Sequence, residues 1–219
     1  MIRNGLLAPG EYYHICNRGV NKQVIFHDIG DYYRFLFLII YFQSSTTFPQ
    51  LNRLVKEFVQ HPMLDIGEDV IKKRTVELVA FCIMPNHFHL ILKEVEEGGI
   101  SSYMQRVLNA YGKYYNTKYE RSGHVFQGPY RLVHIEDDRQ MRHTSAYIHR
   151  NPREIKNWFK KEHLYPWSSY QDFIGKNRWG KLLVPDIAMG ESSQKQYEEF
   201  VRTSPAKVLE EELEYLKDF

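Results

Sequence analysis

The chain has 219 residues, 43% hydrophobic and 26% charged, which fits a globular domain able to bury a core and argues against disorder. Its longest purely apolar run, residues 35–42, is far too short to span a membrane, and "MIRNGLLAPG" at the start lacks the apolar stretch of a secretory signal. Net charge is only +2, yet residues 101–181 hold 15 Lys and Arg against 7 Asp and Glu, while residues 186–219 hold 4 against 9. A basic middle and an acidic end point to a polyanion site with a segment able to mask it, against the simpler reading of ordinary surface charge.

Taken in chain order, Tyr12 to Val20 reads as a first strand ending in the basic turn "NRG". Asp28 or Asp31 can cap a helix through "YYRFLFLIIYFQ", which is apolar nearly all round and so expected to be buried. "QLNRLVKEFVQ" over residues 50–60 is amphipathic. "TVELVAFCIM" and "HFHLILKEV" are two strands joined by "PN", a turn signal. Ser101 or Ser102 can cap a helix on which Met104, Val107, Leu108, Tyr111 and Tyr115 recur at helical spacing. A polar loop, "ERSGHVFQGPY", leads to a strand, "YRLVHIE", and then to a helix, "DDRQMRHTSAYIHRN", closed by Pro152. "YPWSSYQDFI" begins a short helix, and residues 207–219 carry Leu209, Leu213 and Leu216 on one face with acids on the other. The short turn between the two central strands makes them antiparallel. The expected class is therefore α+β, an antiparallel sheet with helices packed on one face, plus a C-terminal helical extension. The expected division is residues 1–185 as the main domain and 186–219 as the acidic extension. Cys16 and Cys82, both in strand-like apolar surroundings, read as reduced core thiols of a cytoplasmic protein.

"MPNHFHLIL" spends two histidines inside a strand. Strand alternation puts Phe88, Leu90 and Leu92 on one face, plainly the core, and His87, His89, Ile91 and Lys93 on the other. The two imidazoles lie a little under ~7 Å apart along the backbone, close enough to converge on one ion. Spacing alone leaves a metal pair and a simple hydrogen-bonded pair both open, since two ligands do not make a site. The helix before Pro152 offers further polar groups: Tyr147 and Asn151 share one face, His143 lies one turn earlier and Arg150 beside them, while Met141 and Ile148 can anchor the opposite face.

The ordered set "YYHICNRGVNKQVIF", "FCIMPNHFHLIL", "MQRVLNAYGKYYNTKYERSGHVFQGPYR", "AYIHRNP" and "YPWSSY" resembles the IS200-like transposases, the HUH endonucleases with one catalytic tyrosine, above all their REP-associated branch. The resemblance covers roughly residues 12 to 173. It implies a ferredoxin-like or RRM-like antiparallel sheet, with His87 and His89 as metal ligands on a central strand, Asn151 as a third ligand and Tyr147 as the nucleophile. Two departures stand out: Pro129 replaces a residue often basic in relatives, and Arg150 and Arg153 stand where relatives are often more apolar.

The activity so implied is cleavage and rejoining of single-stranded DNA near hairpins through a covalent 5′-phosphotyrosine, with Mg²⁺ or Mn²⁺ as cofactor. The alternative is a domesticated hairpin-binding protein that does not cut. Expected DNA contacts are Asn17 and Arg18 in "NRG", and Arg121, Gln127, Tyr130 and Arg131 in the basic loop, suited to phosphate contact and base stacking. No membrane partner is expected, and the oligomeric state is left between monomer and homodimer.

Overall fold

The computed structural model describes residues 7–204. Strand β1 (Tyr12–Arg18) is followed by helices α1 (Ile29–Tyr41), α2 (Leu51–Gln60) and α3 (Gly67–Lys72). Strands β2 (Val76–Met84) and β3 (His87–Glu94), helix α4 (Gly99–Lys118) and strand β4 (Arg131–Ile135) come next. The sheet has the order β2-β3-β1-β4, and every pairing is antiparallel. With α2 and α3 taken as an insertion after α1, this is the expected βαββαβ ferredoxin-like succession. Beyond it lie α5 (Asp138–Arg150), a 3-10 turn at Asn151–Glu154, α6 (Tyr170–Ile174), α7 (Asp186–Met189) and α8 (Gln194–Thr203).

Local chemistry sets the boundaries. Asp28 starts α1 with a reciprocal cap: its carboxylate accepts from the N–H groups of Gly30 and Asp31, while Asp31 returns the bond to the Asp28 backbone. The expected serine cap of α4 is not used. That helix begins three residues earlier, after Gly98, whose φ of +77° favours glycine. The buried carboxylate of Glu94 on β3 reaches across to accept from the Ile100 N–H at 2.7 Å, so a strand side chain satisfies the helix end. β1 also stops short of Val20. Gly19 N–H donates to the Asn86 carbonyl, and Val20–Lys22 forms a 3-10 turn.

The expectation of helices on one face is corrected. On the first face Tyr13, Ile15, Phe88, Leu90 and Leu92 pack against α1 and α4, with Phe35 and Phe88 rings 4.8 Å apart. On the second face Ala80, Cys82, Met84 and Ile91 meet Met141, Ala146 and Ile148 of α5, Phe173 of α6, and Tyr197 and Val201 of α8. The sheet is thus buried on both sides, which explains why β2 reads as a continuous apolar run rather than an alternating one. A register shift between Leu78 and Ala80 adds to this: Leu78, Phe81 and Ile83 all reach the first core, and Ala80 and Cys82 the second. Leu209, Leu213 and Leu216 lie outside the described residues.

A buried polar chain fixes α5 on the second face. The Tyr197 hydroxyl donates to Ser145 Oγ at 2.8 Å, and His149 bridges Tyr197 and Ser169 with 2.9 Å bonds from its two ring nitrogens. Ser169 Oγ in turn accepts from the Phe81 N–H of β2. Helix, sheet and C-terminal helix are joined through groups that have no access to water. Tyr197→Phe leaves His149 and Ser145 without this partner, and it is expected to destabilise the fold by about 1–3 kcal/mol. Urea unfolding checks this: a lower midpoint with unchanged slope is expected, and an unchanged midpoint contradicts the role given to the chain of bonds.

Candidate active site between the sheet and helix α5

β3 is an inner strand, and its register sets the neighbours of its histidines. His87 lies opposite Met84 on β2 and Arg18 on β1; His89 lies opposite Cys82 and Cys16. Both point to the second face, beneath α5, as alternation requires. Pro152 ends α5 and leaves Asn151 at its C-terminal cap, buried against the sheet.

The expected ligands meet here. His87 Nε2 and Asn151 Oδ1 are 3.2 Å apart, and the His87 and His89 rings stand perpendicular with centroids 5.1 Å apart. Tyr147, half-buried one turn before Asn151, sets its ring edge-on to His89 at 5.5 Å and to His14 at 6.4 Å.

The hydrogen bonds around His87 decide which atoms face the site. Asn86 Nδ2 donates to the Lys22 carbonyl at 3.1 Å, so its Oδ1 is the atom turned to His87 Nδ1, 2.7 Å away. Nδ1 therefore carries the proton. Asn151 Nδ2 donates to the Tyr147 carbonyl at 3.0 Å, which turns Asn151 Oδ1 towards His87 Nε2. Two lone pairs face each other, an arrangement that a cation resolves. A ligand histidine whose far N–H is held by a carbonyl oxygen is the usual arrangement of a metal site, so these residues fit a divalent ion.

Electrostatics agree. Burial pushes the His87 imidazole down to about 4, with Arg18 adding to the effect and Asn151 opposing it. Burial pushes His89 well down too, helped by His87, His14 and Arg18. Both are neutral at pH 7, the form that binds a metal. Burial pushes the Tyr147 phenol up, as does the nearby charge of Glu154, while a bond with Asn151 pulls the other way.

Four neighbours did not emerge from sequence reading as site residues: His14, Cys16, Asn86 and Glu154. His14 Nε2 lies 3.0 Å from His89 Nδ1, and donor atoms of His14, Cys16 and His89 all fall within 4.8 Å of one another. This second donor set fits an ion less well. Its two nitrogens already share a hydrogen bond, and burial pushes the Cys16 thiol up to about 12 despite Arg131 and Arg18. Alternation alone puts His14, Cys16 and Arg18 on one face; the pairing of β1 with β3 brings that face to the histidines.

The expected DNA contacts divide. Arg18 lies opposite His87, and Arg131 opposite Cys16, so both belong to the histidine face. Exposed Gln127 adjoins them, its N–H donating to the Arg18 carbonyl at 2.8 Å. Asn17 is buried: its side chain accepts from the Arg18 N–H and reaches the Gly128 carbonyl, so it holds the turn. Tyr130 packs on the first core, and Arg121 bonds Gln23 and Tyr115 near the C-terminal end of α4.

The profile of the family described as "Transposase IS200 like" matches residues 49–151, a span that includes His87, His89, Tyr147 and Asn151. The match spans just under half of the chain and is a similarity to that family. Among solved structures, the chain is similar to a REP-associated tyrosine transposase bound to a REP hairpin, with a TM-score of 0.53 and 16% identity over 80% of this chain and 84% of that one. At that identity the likeness is one of fold. No curated protein matches the chain. Among the described residues no helix is long and apolar enough to cross a membrane.

The buried imidazoles at and around this site make stability depend on pH. His87 is held at about 4 and His14 and His149 at about 3, all below the ~6.5 of an unfolded chain. Between those values the unfolded chain takes up protons that the folded one refuses. Stability is therefore full above about pH 6.5 and falls as pH drops through this window, by up to about 1.4 kcal/mol per pH unit for each histidine. Urea midpoints measured with chelator present should fall from pH 7 to pH 5; a flat profile contradicts the burial of neutral imidazoles.

Proposed function

We propose that this chain cleaves and rejoins single-stranded DNA beside hairpins, with Tyr147 as nucleophile and His87, His89 and Asn151 as holders of one divalent ion. The observation that carries the reading is the meeting of Tyr147 and Asn151, one turn apart on α5, with the two histidines of β3. The family match and the hairpin bound to the structural relative support DNA as the partner.

The Tyr147 oxygen attacks the scissile phosphorus, a P–O bond to tyrosine forms, and the bond to the 3′-oxygen breaks. The phenol gives up its proton and the leaving 3′-oxygen gains one, so a 5′-phosphotyrosine and a 3′-hydroxyl result. A later attack by a 3′-hydroxyl reverses the bond changes and rejoins the strand without a nucleotide cofactor. Because the phenol is neutral where it lies, activation has to accompany the attack. A divalent ion at these donors, Mg²⁺ or Mn²⁺ given the mixed nitrogen and oxygen set, would act as a Lewis acid on the phosphate. Arg18 and Arg131 supply positive charge on the same face for the phosphate backbone.

Tyr147→Phe removes one oxygen and keeps the ring against His89 and His14. Hairpin affinity and Mn²⁺ binding should stay close to wild type, while cleavage and the covalent adduct on a denaturing gel drop to background. Cleavage without an adduct points to a water nucleophile and ends this mechanism; a wild-type chain that binds the hairpin but never cuts it favours the non-catalytic alternative.

A further inference from the structure

The histidine on β1 has no role in the mechanism above, yet it touches one of its ligands. His14 and His89 are both almost wholly buried, their rings are near parallel at 21° with centroids 5.2 Å apart, and His14 Nε2 meets His89 Nδ1 at 3.0 Å. A hydrogen bond across that contact holds one proton between the two nitrogens. If it belongs to His14, then His89 keeps its own proton on Nε2 and cannot offer that atom to a metal. If it belongs to His89 Nδ1, then Nε2 is a lone pair.

We infer that His14 is a positioning residue that accepts the Nδ1–H of His89 and thereby leaves His89 Nε2 as a metal ligand. The inference rests on the metal reading of the site given above. It gives both motif histidines the same arrangement: Asn86 accepts the Nδ1–H of His87, and His14 accepts that of His89. One acceptor is the adjoining residue in sequence; the other comes from the neighbouring strand. Antiparallel pairing of His14 with Ile91 and Cys16 with His89 fixes the distance, so the orientation is built into the sheet.

Two-bond ¹⁵N–¹H spectra of the histidine-labelled full chain, without metal, read the tautomer directly. Wild-type His89 should carry its proton on Nδ1. His14→Phe, which keeps an aromatic ring but no acceptor, should move it to Nε2, and His14→Gln, whose amide oxygen accepts, should restore Nδ1. Calorimetry with Mn²⁺ should show binding weakened roughly ten- to a hundredfold in His14→Phe and by less than about threefold in His14→Gln. A wild-type His89 protonated on Nε2 overturns the inference without need of any variant, as does His14→Phe that binds Mn²⁺ like wild type. If wild type shows the expected tautomer but binds no Mn²⁺, the metal reading fails and the orienting role of His14 stands.

Discussion

Everything at this site depends on a strand and a helix end meeting at one pair of atoms, His87 Nε2 and Asn151 Oδ1. Each is turned towards the other by a separate hydrogen bond, donated by His87 Nδ1–H to Asn86 Oδ1 on one side and by Asn151 Nδ2 to the Tyr147 carbonyl on the other. Neither atom can donate while His87 is neutral, and burial keeps it neutral. The fold therefore holds two acceptors in opposition, a cost that a bound cation would turn into affinity.

That opposition needs α5 to stay in register over the sheet. The bonds from His149 to Tyr197 and Ser169, and from Ser169 to Phe81, fix the helix about its axis two residues before Asn151. Ala146 and Ile148 bury the adjoining positions in the second core. The first core serves the site from the other side, because Phe88 and Leu90, packed under α1 and α4, keep the histidine face of β3 turned up. Precise positioning of the reacting groups thus comes from packing on both faces rather than from the loops.

The parts legible in the sequence were those with a short period. Alternation in "HFHLIL" set the histidine face, and four-residue spacing put Tyr147 with Asn151; the structure brings these together. What escaped were relations between distant segments. His14 is an unremarkable polar position until β1 pairs with β3, and Glu94 becomes a helix cap only because Gly98 turns the chain back on it. The second covered face is hard to read for a related reason: His87 and His89 put polar groups on that side of β3, although Cys82 and Met84 beside it are core. A residue beside a basic turn can equally face inward, as Asn17 does where it secures Gly128.

The central claim concerns where an ion would sit, and two donor sets share His89. Crystals soaked in Mn²⁺ and measured at the manganese edge would locate it directly. The account predicts one anomalous peak bounded by His87, His89 and Asn151, next to the Tyr147 ring. A peak enclosed by His14, Cys16 and His89, or none at the histidines, would contradict it.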